Sequence, residues 1–385
     1  MNAAAPEEVR VAIVGGGLMG REIAAAIQRW PALVDHPVRP RLVAVADLNP
    51  AALEWFRQID TVTSLVTDYR ELLADPTIDV VYIAVRHDLH EQLYVDTIRA
   101  SKSLLAEKPF GIDPAAAGRI LAEVDAHPES FVRVSSEMPF SPGAQWALRY
   151  LASGAAGRIV EARSAFLHSS DVDPTKPLNW KRQARFCGEA GVMNDLGLHA
   201  WHLPVRLGWT PRELSAVLQN IVSERPGADG VLEPCDTWDN AVWHGLVDAP
   251  DGEFALTVET KRISPGDKNS WEFEVVGMTG GVRFSTSDPV GVWIFENTDV
   301  PGIGREQGWR RIEAGSQSVW PTVTGGIFEA GFSDAILQMW AAFLAERAGE
   351  LGERFGCATP AEAVATHRMA EAAASSWSTG SRIRL

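Results

Sequence analysis

The sequence predicts an α/β chain whose first third is a doubly wound parallel sheet and whose remainder is a second domain. Three observations carry this reading. An apolar run over residues 9–14 breaks at Gly15-Gly16-Gly17-Leu18-Met19-Gly20 and leads into a helix-patterned stretch. Strand-like and helix-like segments then alternate as far as a helix opening at Asp113-Pro114, the pattern of successive βαβ units. The length, 385 residues, exceeds that at which one hydrophobic core stops growing, so two domains are expected, 7–136 and 137–385.

The glycine turn gives the first strand its chemistry. Gly15 permits a tight turn, Gly17 removes the side chain that would block a pyrophosphate, and Gly20 lets the helix over 18–30 pack close to the strand. Together with the amides of that helix N-terminus, Gly15, Gly17, Leu18, Met19 and Gly20 are candidate contacts to a dinucleotide. A glycine-rich loop without function is the competing reading. A second apolar run over 42–46 ends in Asp47, whose carboxylate could accept hydrogen bonds from the adenosine ribose hydroxyls. The stretch over 30–41, with Pro31, Pro37 and Pro40, reads as a loop insertion that lengthens the spacing from Gly20. Leu48, Asn49 and Pro50 follow Asp47, so a 2′-phosphate would meet a negative charge with no arginine next in sequence, and NAD is favoured over NADP. Asp47 could instead cap a helix beginning near Pro50.

Helices over 69–74 and 89–100 and strands over 80–85 and 103–106 continue the alternation. Ligands of such sheets bind beyond the strand C-termini, where Gly15, Asp47, Arg86 and Lys108 fall. Composition narrows the partners further. With 35 basic and 50 acidic residues the net charge is -15, which argues against nucleic acid or an anionic membrane surface as the main partner. The first ten residues hold neither a basic leader nor an apolar core, and no later apolar run is long enough to span a bilayer. Cys187, Cys235 and Cys357 are odd in number and widely spaced, so neither a disulfide scaffold nor a metal site is expected, and the expected compartment is the cytoplasm.

Two further segments, Glu107-Lys108-Pro109 and Gly191-Val192-Met193-Asn194-Asp195-Leu196-Gly197-Leu198-His199, offer a lysine, an aspartate and a histidine. Oxidising a secondary alcohol requires a hydride to leave carbon while a proton leaves oxygen, so a base and an orienting donor are needed. Asp195 and His199 are four apart and share a face if helical. Alternatively, Asp195 caps a helix over 196–207 and His199 fills its buried side.

The glycine turn, the strand Val81-Tyr82-Ile83-Ala84 leading to His90, Glu107-Lys108-Pro109, the Ser153-Gly154 and Gly157-Arg158-Ile159 turn, the Asp195 and His199 segment, and a closing helix ending over 376–380 together resemble one family. It is the glucose-fructose oxidoreductase, inositol dehydrogenase and rhizopine-catabolism family, Gfo/Idh/MocA, and the likeness runs over nearly the whole chain. The resemblance implies an N-terminal Rossmann domain and a C-terminal α+β domain with a large open, mostly antiparallel sheet. Strand-like runs over 159–166, 214–219, 240–247, 254–259, 271–276 and 292–295 fit that sheet. It also implies a cis Lys108-Pro109 peptide, with Lys108 hydrogen-bonding the reacting oxygen and the ribose, His199 as proton acceptor, and Asp195 binding hydroxyls or orienting the histidine. Val85, Arg86, His90 and Glu107 join Lys108 as cofactor-side candidates. Trp180, Arg182, His202 and Glu137 join Asp195 and His199 on the substrate side, although the loop carrying Trp180 and Arg182 reads equally as an ordinary amphipathic one.

Some residues depart from the family pattern. Val85-Arg86-His87 replaces a frequent Thr-Pro-Asn, His202 stands where an acid often follows, and Gly188-Glu189-Ala190-Gly191 replaces three glycines. Lys108, Asp195 and His199 are untouched, so these changes bear on the substrate. An open sheet must cover its exposed face, so a homodimer or homotetramer formed through the C-terminal sheet is expected, with the closing helix packing back on the first domain. The expected function is NAD(P)-dependent hydride transfer to or from a secondary alcohol of a sugar, an inositol-like polyol or a sugar derivative. A non-catalytic dinucleotide-responsive binding protein and an NAD-dependent glycosidase-type relative are the alternatives.

Overall fold

The computed structural model describes residues 6–302, 304–306 and 308–385. They form two compact units, one of 6–140 with Ser318–Gly325 and Gly331–Val364, the other of the described residues within Ser141–Gln317 with Gly326–Ala330 and Ala365–Leu385. Instead of a single division after residue 136, the chain thus returns to its first unit twice.

In the first unit β1 (Glu7–Val14), β2 (Val38–Ala46), β3 (Ser64–Val66), β4 (Val80–Ile83), β5 (Ser103–Ala106) and β6 (Val132–Val134) make one sheet in the order β3-β2-β1-β4-β5-β6. All five pairings are parallel. Strands so covered by helices read as unbroken apolar runs, and β4 and β5 are buried at every position. The strand order reverses between β1 and β4, which is where a sheet of this kind opens its ligand crevice.

One expectation fails here. The stretch read as a loop up to residue 41 already contains the first half of β2, with Pro40 opposite Val9. β3 pairs only with Ala44, Val45 and Ala46, so β2 is an edge at Pro40 and the missing N–H costs no ladder bond on that side. The same unit includes the helix Phe332–Arg347, which is buried at every position from Ala335 to Ala345 and packs on α1 (Leu18–Gln28). Its one amide, Gln338, exchanges hydrogen bonds of 2.6 and 2.9 Å with the backbone of Trp320, which satisfies a polar group that would otherwise be costly to bury.

The second unit is built on a nine-stranded sheet that includes β7 (Ile159–His168) and β8 (Pro211–Gln219). From one edge the order is Arg310–Glu313, Gly291–Glu296, Gly280–Ser285, Asn269–Gly277, β7, Gly252–Lys261, Asn240–Ala249, β8 and Ile383–Arg384. Only the pairing of β7 with Gly252–Lys261 is parallel. The helix Gly197–Arg206 packs on β7 and on the strand Gly252–Lys261, and the helix Pro142–Ala152 packs under Gly280–Ser285 and Gly291–Glu296. The other face alternates charge and apolar surface, with Arg283 paired to Glu274 at 2.9 Å and Trp293 exposed beside them.

Candidate active site

One group of candidate residues lies at the C-terminal ends of β1, β2, β4 and β5 in the first unit. Gly15 bends at a φ of +107°, and a Cβ there would stand 2.1 Å from the Ala84 carbonyl oxygen. A Cβ on Gly20 would lie 2.0 Å from the Gly15 carbonyl oxygen, so the crossing of turn and helix admits only glycine. Gly17 differs, since nothing lies within 4 Å of its would-be Cβ. Gly17 is also the N-cap of α1 and supplies no side-chain cap. Open space over uncapped helix amides fits a dinucleotide pyrophosphate, and Leu18, 74% exposed, stands beside it with the half-buried Met19.

Asp47 joins this turn. Its Oδ2 accepts the Gly16 N–H at 2.7 Å and its Oδ1 accepts the Asn49 N–H at 2.8 Å. The cap of the helix at Pro50 is Asn49, not Asp47. A carboxylate fixed at the end of β2 suits ribose hydroxyls and opposes a 2′-phosphate. Arg86 pairs with Asp88 through two hydrogen bonds of 3.1 and 2.9 Å.

At the end of β5 the Lys108-Pro109 peptide is cis. His90 is wholly buried, with Nδ1 2.7 Å from the Pro109 carbonyl oxygen and Nε2 3.2 Å from that of Val85. It therefore ties the chain leaving β4 to the chain leaving β5 instead of presenting its ring to a ligand. Burial pushes this imidazole down to about 4, and the two carbonyls only partly oppose it. Glu107 is equally committed. Its carboxylate accepts the Tyr82 hydroxyl at 2.7 Å and the Lys108 N–H at 3.2 Å, while its carbonyl accepts the Tyr94 hydroxyl at 2.7 Å. Glu137, expected on the substrate side, lies in this first unit and is 5% exposed. Burial, then the Glu107 carboxylate, pushes its carboxyl up to about 7.

A second group of candidate residues lies in the other unit. Gly191, at a φ of +53°, turns the chain where a Cβ would meet Thr237 at 2.8 Å. A short helical turn, Val192–Asp195, follows and breaks at Leu196 before the helix Gly197–Arg206. Asp195 and His199 therefore sit on two successive helical pieces. Asp195, 1% exposed, caps neither piece with its side chain. Its Oδ2 accepts from Lys181 Nζ at 3.2 Å and pairs closely with the Arg262 guanidinium. His199 is 2% exposed, its ring tilted against Phe166 at 4.8 Å. His202 is buried one turn on, with Nε2 3.2 Å from Arg206 Nη2.

The loop before these helices divides into a face and an anchor. Lys181 Nζ stands 5.5 Å above the Trp180 ring. Arg182 is fully buried, and its guanidinium pairs with Asp239 at 2.7 Å and donates to the Trp238 carbonyl oxygen at 3.3 Å. It holds the loop in place, which replaces the expected substrate contact. Cys187 donates its thiol to the Lys181 carbonyl oxygen at 3.1 Å, and burial pushes it up to about 12, so it is no nucleophile.

Sequence reasoning missed Arg262, Tyr82 and Tyr94. Arg262 pairs with a residue 67 positions away and leaves no local signal. Tyr82 had one, since a hydroxyl inside an apolar strand must find an acceptor.

Comparison with known proteins gives the family. Residues 9–134 match the family model of oxidoreductases with an NAD-binding Rossmann fold, and residues 144–283 match the Gfo/Idh/MocA C-terminal domain. The chain belongs to the Gfo/Idh/MocA oxidoreductase family, and its cofactor is NAD. Levoglucosan dehydrogenase of Pseudarthrobacter phenanthrenivorans is 27% identical over 300 residues, which is 72% of this chain and 74% of that one. Human trans-1,2-dihydrobenzene-1,2-diol dehydrogenase is 29% identical over 158 residues, 41% of this chain and 46% of its own length. In fold, a solved levoglucosan dehydrogenase in complex with NADH superposes with a TM-score of 0.86 at 22% identity, covering 98% of this chain and 99% of that one.

Proposed function

We propose that the protein is an NAD-dependent dehydrogenase that transfers hydride between nicotinamide and a secondary alcohol of a sugar, an inositol-like polyol or a sugar derivative. The observation that carries the reading is a buried carboxylate held by two cations and, four residues on in the same unit, a buried imidazole. Bound NAD supplies the hydride acceptor. Lys108 orients the alcohol oxygen, His199 takes its proton, and Asp195 binds neighbouring hydroxyls or orients the histidine. Protonating Asp195 would break both of its ion pairs, which leaves the imidazole as the natural proton acceptor near neutral pH. Matches to enzymes named for levoglucosan and for a dihydrodiol support a cyclic alcohol.

The reading extends to assembly and compartment. A homodimer or homotetramer formed on the open face of the second sheet would cover Trp293. Three free, buried cysteines suit a reducing cytoplasm. No described helix is long and apolar enough to cross a membrane.

The test is reduction of NAD, followed by nicotinamide absorbance, across a panel of sugars, polyols and anhydrosugars that includes levoglucosan. Loss of at least about 100-fold in kcat/KM for Lys108→Ala and for His199→Ala is expected. Turnover unchanged in both variants would refute the assignment.

A further inference from the structure

The second unit gathers more positive charge around Asp195 than its buried acids neutralise. Three carboxylates, Asp171, Asp195 and Asp239, are each at most 1% exposed. Four cations pair with them: Lys176 with Asp171 at 2.9 Å, Arg182 with Asp239 at 2.7 Å, and both Lys181 and Arg262 with Asp195. A fifth, the fully buried Arg225, donates to the carbonyl oxygens of Asp171, Asp173 and Lys176 and pairs with no carboxylate among the described residues. Positive charge held this way calls for a counter-charge. The surplus is reachable at one place. Arg262 and Lys181 both bind the same oxygen of Asp195, and the Lys181 side chain keeps 35% of its exposure. The Trp180 ring, 5.5 Å from the ammonium, holds it over the half-exposed face of the loop.

Donors without a partner stand beside this ammonium. Phe166, whose ring meets His199, and His168 share one face of β7. Lys261 is in parallel register with Leu167, so Arg262 comes level with His168 on the neighbouring strand. The His168 Nδ1 accepts the Ser170 N–H at 3.0 Å, which leaves Nε2 to carry the ring proton and to donate. Burial, then the charges of Arg262 and Lys181, push this imidazole down, so the ring is neutral near pH 7. Arg262 is 4% exposed, and its Nε has no acceptor among the described residues. We infer that the substrate is a sugar derivative bearing an anionic group, a carboxylate or a phosphate, bound by the Lys181 ammonium with His168 Nε2 donating beside it. A neutral hydroxyl would accept the same bonds yet leave the surplus charge unbalanced, whereas an anion answers both. The inference rests on the dehydrogenase reading, since it names the substrate class of that reaction.

Isothermal titration of the protein loaded with NADH tests it. The probes are glucose, glucuronate and glucose phosphorylated on its primary alcohol, with galactose and galacturonate as a second set differing in one charged group. With the hydride already on the cofactor no alcohol is oxidised, so binding is read without turnover. The charged member of a set is expected to bind at least about tenfold more tightly than the neutral one, as a charge-assisted bond in a half-exposed site allows. The carboxylate and phosphate arms tell the two anions apart. Raising NaCl from about 50 mM to about 500 mM should narrow the gap and leave the affinity of the neutral sugar in place. Lys181→Met should remove the gap and Lys181→Arg should keep it. Charged sugars that do not bind, or bind no better than their neutral partners in the wild type, would overturn the inference, and that result needs no variant to fold. A gap that survives in Lys181→Met would overturn it too. Neutral sugars oxidised by NAD while no charged one binds would overturn it and leave the dehydrogenase reading standing. Preferential binding of a charged sugar without NAD reduction would support the anion site while refuting the dehydrogenase reading.

Discussion

His90 and Glu137, on either side of the Lys108 backbone, should pull stability in opposite directions with pH and nearly conceal each other. His90 falls from its ordinary 6.5 to about 4 in the folded protein. The unfolded chain therefore binds the extra proton, and stability present above pH 6.5 is lost as pH falls towards 4. Glu137 rises from 4.5 to about 7. Here the folded protein keeps the proton, so stability present below pH 4.5 is lost as pH rises towards 7. At about 1.4 kcal/mol per pKa unit, His90 adds about 2 kcal/mol between pH 5 and pH 7 while Glu137 removes about 2 kcal/mol. The wild type should change little from this pair. Removing one member exposes the other: relative to wild type, Glu137→Gln should gain about 2 kcal/mol on going from pH 5 to pH 7, and His90→Gln should lose about as much. Equilibrium urea unfolding at pH 5, 6 and 7, read by circular dichroism and fluorescence, measures both differences. Contributions of other histidines, such as His36 and His168, are common to all three proteins and cancel. Stability curves that run parallel for wild type and both variants would refute the reasoning.

The remaining predictions concern the candidate residues of each unit. Arg262→Leu strips the nearer cation from a carboxylate that is 1% exposed; a cost of about 3 kcal/mol is expected, at the low end for a broken buried pair because Lys181 remains at 3.2 Å, and a change in urea midpoint no larger than that of an exposed arginine variant would contradict it. Gly15→Ala should lower stability, since its Cβ meets the Ala84 carbonyl. Gly17→Ala should leave stability intact yet weaken NADH binding by fluorescence titration at least about tenfold, because only a ligand occupies that space; equal stability losses in the two variants would refute the distinction.

The first unit was largely legible because its signals are local. A strand buried on both faces writes itself as an apolar run, and Gly15 and Gly20, whose Cβ atoms would meet the Ala84 and Gly15 carbonyls, allow no substitution, so Gly15 to Gly20 announced both fold and cofactor. The reading failed where a local rule met a non-local circumstance. Proline argued against a strand at residue 40, but the shortness of β3 makes that stretch of β2 an edge. The helix Phe332–Arg347 left no amphipathic stripe because it is buried on nearly all sides, so its return to the first unit had no periodic trace.

The candidate residues of the second unit show how far spacing alone can go. A separation of four residues suggested one helical face for Asp195 and His199, yet the chain breaks at Leu196, so the pair lies on two pieces. What fixes Asp195 is a guanidinium from the end of a strand 67 residues later and an ammonium 14 residues earlier. Neither distance has a sequence period. The same physics separates Lys181 from Arg182: adjacent cations look interchangeable in sequence, but one stands half-exposed over Trp180 and the other is sealed against Asp239. A buried charge needs a charged or hydrogen-bonding partner wherever in the chain one can be found. The candidate residues could therefore be named from the sequence, whereas the residues that hold their charges in place had to come from the fold.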